Sequence, residues 1–199
     1  MSGMISNNEN PLFDIYHLIW QPGFSLHPDW WTNWGLPGGQ CAYASGSWKL
    51  RRQIDEYILE KQALPVWSPS NVTDEHSRLL AIKNKLPLLL VSLGLISLGS
   101  CNYFFYRPYR KQLETLFTPA QLKQLSLLIR VKTDMMNINH EQLLPLSLST
   151  GEMMITRQLK NDPLWNRLKY TYPRVNCIPI KKTFSDEPLQ AMLRLEKFL

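Results

Sequence analysis

The first 48 residues contain no lysine or arginine, although they hold three acidic residues, Glu9, Asp14 and Asp29. This segment therefore has a formal charge of −3, and because the whole chain carries +6, the other 151 residues carry +9. Such an excess suits nucleic acid, an anionic membrane surface or an acidic protein, and it does not choose among them. The positive charge belongs to the body of the chain and not to its start.

Most basic residues are scattered, which is typical of an ordinary solvated surface. Two small groups stand out, one formed by Arg107, Arg110 and Lys111 and the other by Lys181 and Lys182. Neither group belongs to an aromatic-interleaved nucleic-acid-binding motif, so we expect no nucleic-acid partner.

Cysteine is scarce, with Cys41, Cys101 and Cys177 separated by 60 and 76 positions. These separations exclude a closely spaced zinc site, and an odd number of cysteines cannot all pair internally. A reducing compartment is the simpler interpretation. The chain also opens without the positive start and apolar run of a secretory signal, so we expect it to stay inside the cell.

The sequence lacks the common catalytic templates, including a phosphate-binding loop, a His-Glu-x-x-His motif, a Gly-x-Ser-x-Gly motif and a dinucleotide fingerprint. Cys41, in GGQCAYASGSW, is the most enzyme-like residue. A thiol nucleophile needs a base beside it, and the spacing selects none of the four histidines, His17, His27, His76 and His140. We expect an inert cysteine and no enzyme, cofactor or metal, and we keep a secreted effector with a Cys41 nucleophile as an alternative.

One segment, residues 86–106, has no charged residue over 21 positions and is followed by Arg107. This length is enough to span a bilayer, and a single-pass membrane protein is therefore a second alternative. Serines interrupt the run, Pro87 suits a helix start, and Gly94 and Ser97 suit close contact with a neighbour. We therefore expect a buried core helix and no integral membrane span.

The remaining pattern predicts a mainly α-helical protein, a compact multi-helix bundle-like domain. Residues 1–44, rich in Trp, Pro and Gly, predict an irregular N-terminal strap or short helices clamped by aromatic rings, and residues 45–199 predict a helical domain in the same structural unit. Helix starts are expected at Ser47, Thr73 and Thr118, and either Asn139 or Ser149 begins a further short helix. A last helix is expected in DEPLQAMLRLEKFL.

Three tryptophans of the strap, Trp30, Trp31 and Trp34, have two interpretations. Buried tryptophan is a common core residue. Exposed tryptophan is a strong anchor in protein interfaces, so these three are also candidate interaction residues.

Two segments of the chain resemble a known family. Residues 20–28, WQPGFSLHP, resemble the opening signature of the SctK family (YscK, OrgA, MxiK), and residues 86–99, LPLLLVSLGLISLG, look like its leucine-rich helix. Within that family the resemblance is nearest to the divergent members from attaching-and-effacing pathogens. The expected size, helical content and lack of catalytic motifs agree with it.

The resemblance implies a noncatalytic cytoplasmic adaptor of a type III secretion sorting platform, peripheral at the inner membrane. Such an adaptor joins SctD, the inner-membrane ring protein, to SctQ, the pod protein that carries SctL and the SctN ATPase. One interface is then expected among the N-terminal aromatic residues. A second is expected at the basic residues, where charge governs association rate and partner choice more than affinity. The residues proposed for these contacts are Trp30, Trp31, Trp34, Arg107, Arg110, Lys111, Lys181 and Lys182.

Overall fold

A computed structural model describes residues 11–65, 67–68, 71–129, 138–178 and 187–199. All regular structure in these residues is helical, which confirms the predicted mainly α-helical fold. The α-helices are α1 (Pro11–Trp20), α2 (Pro28–Asn33), α3 (Gly39–Ser45), α4 (Trp48–Gln62), α5 (Asp74–Ala81), α6 (Leu86–Leu98), α7 (Arg107–Leu113), α8 (Pro119–Leu128), α9 (Leu143–Gln158), α10 (Trp165–Leu168) and α11 (Pro188–Leu195).

The chain divides into two compact units that are both discontinuous in sequence. The first unit combines Met1–Lys83 with Asn161–Arg174, and the second combines Asn84–Lys160 with Val175–Leu199. The predicted boundary between residues 44 and 45 stays a prediction.

Of the two descriptions predicted for the strap, the structure shows short helices in its described part, where α1, α2 and α3 are joined by turns and a 3-10 helix at Pro22–Phe24. Pro28 occupies the first turn of α2, and Gly38, with φ of 73°, precedes α3 in a left-handed conformation. These two residues separate each short helix from the chain before it. The helices of this segment are therefore too short to produce a sustained helical period in the sequence.

The core of the first unit forms where α2, α3 and α4 meet. Trp31 of α2 and Tyr43 of α3 pack against Ile54 and Ile58, which lie four residues apart on α4. Trp48, the first residue of α4, is 68% exposed. It lies off this buried face because the six residues from Trp48 to Ile54 correspond to about 240° of rotation along the helix.

Local capping explains where several helices begin. Ser47 accepts from the backbone N–H of Leu50, and the side chains of Thr73 and His76 bond reciprocally to each other's backbone N–H groups. Thr118 begins α8 with the equivalent arrangement. Of the two predicted starts near α9, Asn139 accepts from the N–H of Glu141, whereas Ser149 lies inside the helix.

The second unit is built around α6, which packs along α9. Nine of the thirteen residues of α6 are buried, and the other four are only partly exposed, so the predicted core helix is confirmed for Leu86–Leu98. The approach is so close that a Cβ on Gly94 would lie 1.9 Å from the carbonyl oxygen of Ser147. A Cβ on Gly151 would lie 2.0 Å from the carbonyl oxygen of Leu90. Two glycines thus allow the two backbones to touch.

No single described helix is long and apolar enough to cross a bilayer. One bent pair of helices, Asp74–Ala81 with Lys83–Leu98, has the length and composition of a span when the two are taken together.

Candidate protein-interaction surfaces

The three candidate tryptophans lie on or beside α2, which begins at His27, whose Nδ1 accepts from the N–H of Asp29. Trp31 is 2% exposed, and its Nε1 donates to the carbonyl of Leu26. It therefore belongs to the core of the first unit and offers no surface to a partner.

Trp30 and Trp34 are half-buried and lie against Tyr170, with ring centroids 4.8 and 5.4 Å apart. Trp30 Nε1 donates to the carbonyl of Tyr172, and the guanidinium of Arg174 lies over the indole ring of Trp30. These contacts attach the returning segment, Asn161–Arg174, to α2. The two tryptophans thus hold the first unit together and leave only part of their rings exposed.

Exposed aromatic side chains occur instead on α1, where the sequence analysis did not place them. Phe13, Tyr16 and Trp20 are 65%, 47% and 52% exposed, and their spacing puts them along one side of the helix. The ring of Phe24 continues this surface, because it stacks on His17 of α1 at 4.8 Å. We call these four residues, Phe13, Tyr16, Trp20 and Phe24, the α1 aromatic face.

The opposite side of α1 is buried and apolar, since Ile15, Leu18 and Ile19 lie in the core. The sequence does contain a signal for this surface, because apolar residues occur on both sides of α1 and only one side can face the core of the unit.

Next to the α1 aromatic face, the negative charge of Asp14 is neutralised by an ion pair. Asp14 accepts from the ammonium of Lys83 at 2.6 Å, and both side chains are mostly buried. Burial, reinforced by the Lys83 ammonium and opposed by Asp14, lowers the pKa of His17 below its ordinary value of 6.5. His17 is therefore mostly neutral at pH 7, whereas the guanidinium of Arg51 lies 5.9 Å from the centroid of the Phe24 ring.

The basic residues Arg107, Arg110 and Lys111 all lie on α7, in the second unit, and all are exposed. Arg110 is paired with Glu114 at 2.8 Å, whereas Arg107 and Lys111 form no ion pair with any described residue. The other two predicted basic residues, Lys181 and Lys182, lie outside the described residues.

Two exposed aromatic residues precede these cations directly. Phe105 is 70% exposed and Tyr106 is 55% exposed, and the sequence analysis had considered them only as the end of an apolar run. Phe105, Tyr106, Arg107 and Lys111 together are called the aromatic–basic corner below.

In the part of the chain that the structure describes, no group of three or more His, Cys, Asp or Glu side chains is placed to hold a metal ion. His76 is buried, and its Nδ1 accepts from the N–H of Thr73, so its Nε2 carries the proton and donates to Asp162 at 2.8 Å. Asp162 also accepts from the N–H of Trp165. This pair attaches the start of α10 to α5 and has a structural role. Cys41 is exposed and has no contact with a histidine among the described residues.

A buried carboxylate stabilises the turn that follows α1. Asp55 of α4 accepts from the N–H of Gly23 at 3.0 Å and from the hydroxyl of Tyr43 at 2.9 Å. Burial raises the pKa of Asp55 above its ordinary value of 3.8, and these hydrogen bonds oppose that change. Burial and the neighbouring Asp55 likewise raise the pKa of Tyr43.

A buried arginine holds the returning segment in the first unit. The guanidinium of Arg167 donates to the carbonyls of Pro163 and Pro65. Burial lowers the pKa of Arg167, whose guanidinium has no carboxylate partner among the described residues.

Comparisons with known proteins give one match. A protein-family model described as a type III secretion system subunit matches residues 13–174, from α1 through the returning segment of the first unit. Neither the curated proteins nor the solved structures contain a match to the chain. Because the family model covers most of its length, the chain belongs to the type III secretion system subunit family.

Proposed function

We propose that this subunit is a noncatalytic adaptor of the sorting platform, the SctK-family member of its secretion system and nearest to EscK. In this role it links the cytoplasmic domain of the inner-membrane ring protein SctD to the pod protein SctQ, and through SctQ to SctL and the SctN ATPase. It acts in the cytoplasm, at the inner-membrane base of the apparatus.

The observation that carries this proposal is the exposure of aromatic side chains in both units. The α1 aromatic face belongs to the first unit and the aromatic–basic corner belongs to the second. Clustered exposed aromatic rings are expensive to hydrate and are enriched at the centres of protein interfaces. An adaptor needs two such surfaces, because it must hold two partners at the same time.

The two surfaces differ in charge, which favours two different partners. The α1 aromatic face contains no basic residue, and next to it His17 is mostly neutral and Asp14 is paired. The Arg51 guanidinium that lies over the Phe24 ring already donates to two backbone carbonyls. The aromatic–basic corner presents two cations that have no carboxylate partner among the described residues. Complementary charge on a partner steers association and rejects wrong partners.

The proposal is tested by deleting the gene and measuring secretion, together with co-purification of the tagged protein. An adaptor is required for every substrate of the apparatus, so its loss should stop all secretion, and the tagged chain should recover SctQ. Secretion of most substrates by the deletion strain, or export of the chain itself after an intact apparatus has assembled, would instead identify an effector.

Variants of the α1 aromatic face make the test specific to a surface. Replacing Phe13 and Trp20 by alanine should abolish recovery of one partner and leave the other bound, because both side chains lie outside the core. Trp48→Ala is the matched control, since Trp48 is an equally exposed aromatic residue of the same unit and lies outside this face. Equal loss of binding in the control would argue against a specific surface.

A further inference from the structure

The aromatic–basic corner is rigid although it is exposed. Tyr103 and Phe104, immediately before it, are buried, and the backbone N–H groups of Phe105 and Tyr106 both donate to the carbonyl of Asn102. The carbonyl of Tyr106 then accepts the first hydrogen bond of α7, from Arg110. The two aromatic side chains are therefore presented from a fixed backbone, which reduces the entropy lost when a partner binds.

Arg107 and Lys111, which form no ion pair with a described residue, lie on the solvent side of the same helix. Tyr109 and Leu113 turn inward, where Tyr109 packs on Tyr103 at 5.3 Å and Leu113 is fully buried. Arg107 and Lys111 each lie two residues away from these positions, and about 200° of rotation places them on the opposite face. With Arg110 paired to Glu114, the charge available to a partner is that of Arg107 and Lys111.

This combination fits an acidic protein segment better than other anionic partners. Nucleic acid requires a track of cations along its backbone, and α7 offers two cations that are unpaired among the described residues. A membrane surface requires several cations above an apolar helix face, whereas the apolar face of α7 is buried in the unit. Two exposed aromatic rings beside two cations instead match a short segment that pairs apolar side chains with carboxylates.

We propose that the aromatic–basic corner binds an acidic, apolar-containing segment of a sorting-platform partner, with Phe105 and Tyr106 as anchors and Arg107 and Lys111 pairing its carboxylates. This inference rests on the proposed function. Aromatic anchors determine most of the affinity, while the cations act on the rate of association and on its dependence on salt. The two pairs of residues should therefore respond differently to mutation and to ionic strength.

The experiment measures binding of the purified full-length chain to purified SctQ and, separately, to the purified cytoplasmic domain of SctD. The test variants are Phe105→Ala and the double charge reversal Arg107→Glu/Lys111→Glu. The control is Arg194→Glu/Lys197→Glu, which changes one arginine and one lysine at exposed positions of the same unit and alters the net charge equally. Far-UV circular dichroism checks that each variant is folded.

For one of the two partners, we expect Phe105→Ala to weaken binding about tenfold or more, and Phe105→Tyr to restore most of it. The charge reversal should weaken binding to the same partner by about tenfold or more at low salt, and it should remove most of the salt dependence seen with the original chain. The control should stay within about threefold of the original chain, as expected for charges away from an interface.

Three results would overturn the inference. In the first, the original chain binds a partner and the test variants bind it equally well, which leaves the proposed function intact and rejects only this surface. In the second, it binds neither partner, and both the proposed function and the inference fall. In the third, duplex DNA or phosphatidylglycerol vesicles bind through Arg107 and Lys111 while neither protein does, which assigns the corner to a different class of partner.

Discussion

Replacing Gly94 by alanine tests the closest contact in the second unit. The new Cβ would lie 1.9 Å from the carbonyl oxygen of Ser147, whereas real Cβ contacts are essentially never shorter than 3.0 Å. The obstructing atom belongs to the backbone of α9, so no side-chain rotation relieves the overlap. The two helices must move apart by about 1 Å, which opens the packed core along their length.

The expected cost follows from two opposing effects. Overpacking of this kind destabilises by about 1–3 kcal/mol or more, because a close-packed core adjusts poorly. The exchange also replaces a glycine inside a helix by alanine, which by itself stabilises by about 1 kcal/mol. Since the overlap is with backbone, we expect overpacking to dominate, with a net loss of about 2 kcal/mol in the free energy of unfolding.

The matched control is Ser97→Ala, three residues further along α6. Its Oγ is buried without a hydrogen-bond partner, so removing it should be neutral or slightly stabilising. The assay is urea denaturation followed by far-UV circular dichroism. Tryptophan fluorescence does not report on this packing, because all seven tryptophans lie in the first unit.

A double variant makes the test sharper. Gly151 faces Leu90 and Gly94 faces Ser147, so the two contacts are reciprocal parts of one antiparallel crossing. Once the helices have separated for one alanine, the second should cost less, and the double variant should lose less stability than the sum of the single variants. A Gly94→Ala protein that unfolds at the same urea concentration as Ser97→Ala would refute the close approach, and fully additive losses would refute the reciprocity.

The remaining predictions concern other local interactions. Because burial raises the pKa of Asp55, the folded chain binds this proton more tightly than the unfolded chain, and the resulting stability is lost as pH rises through the folded pKa. In urea denaturation, the free energy of unfolding of Asp55→Asn should therefore rise relative to that of the original chain as pH increases from 4 to 7. A difference between the two proteins that does not change with pH would contradict this. His76→Ala removes the side chain that donates to Asp162 and should lower the free energy of unfolding by about 1–3 kcal/mol. The unfolding is followed by tryptophan fluorescence, and an unchanged midpoint would argue against the contribution of this pair. Thr118→Ala removes the reciprocal cap with Gln121 and should cost about 1 kcal/mol by circular dichroism, unless solvent replaces the cap fully.

Local signals were sufficient to predict much of the helical structure. Ser47, Thr73 and Thr118 were recognised as helix starts because a cap depends on residues within one turn. The burial of α6 followed from its uncharged composition, and Gly94 was correctly expected at a close contact. Each of these conclusions requires only neighbours in sequence or the average polarity of one segment.

The candidate surfaces were predicted less completely, because an aromatic residue is equally suitable for a core and for an interface. Trp31 is buried, whereas Phe13 and Trp20 are exposed, and no feature of the residues themselves separates them. What separates them is which side of a short helix meets another helix. The cations of α7 were predicted, and the exposed Phe105 beside them was not.

The sequence by itself determined the starts and caps of several helices and the uneven distribution of charge, since these depend on composition and on contacts within a few residues. Tertiary structure alone decided that Asn161–Arg174 returns to the first unit, where the carbonyl of Tyr172 accepts from Trp30, 142 residues earlier. Such a contact depends on the packing of the whole unit, and no periodic pattern of nearby residues predicts it. The same long-range packing decides which aromatic rings are buried and which remain exposed for a partner.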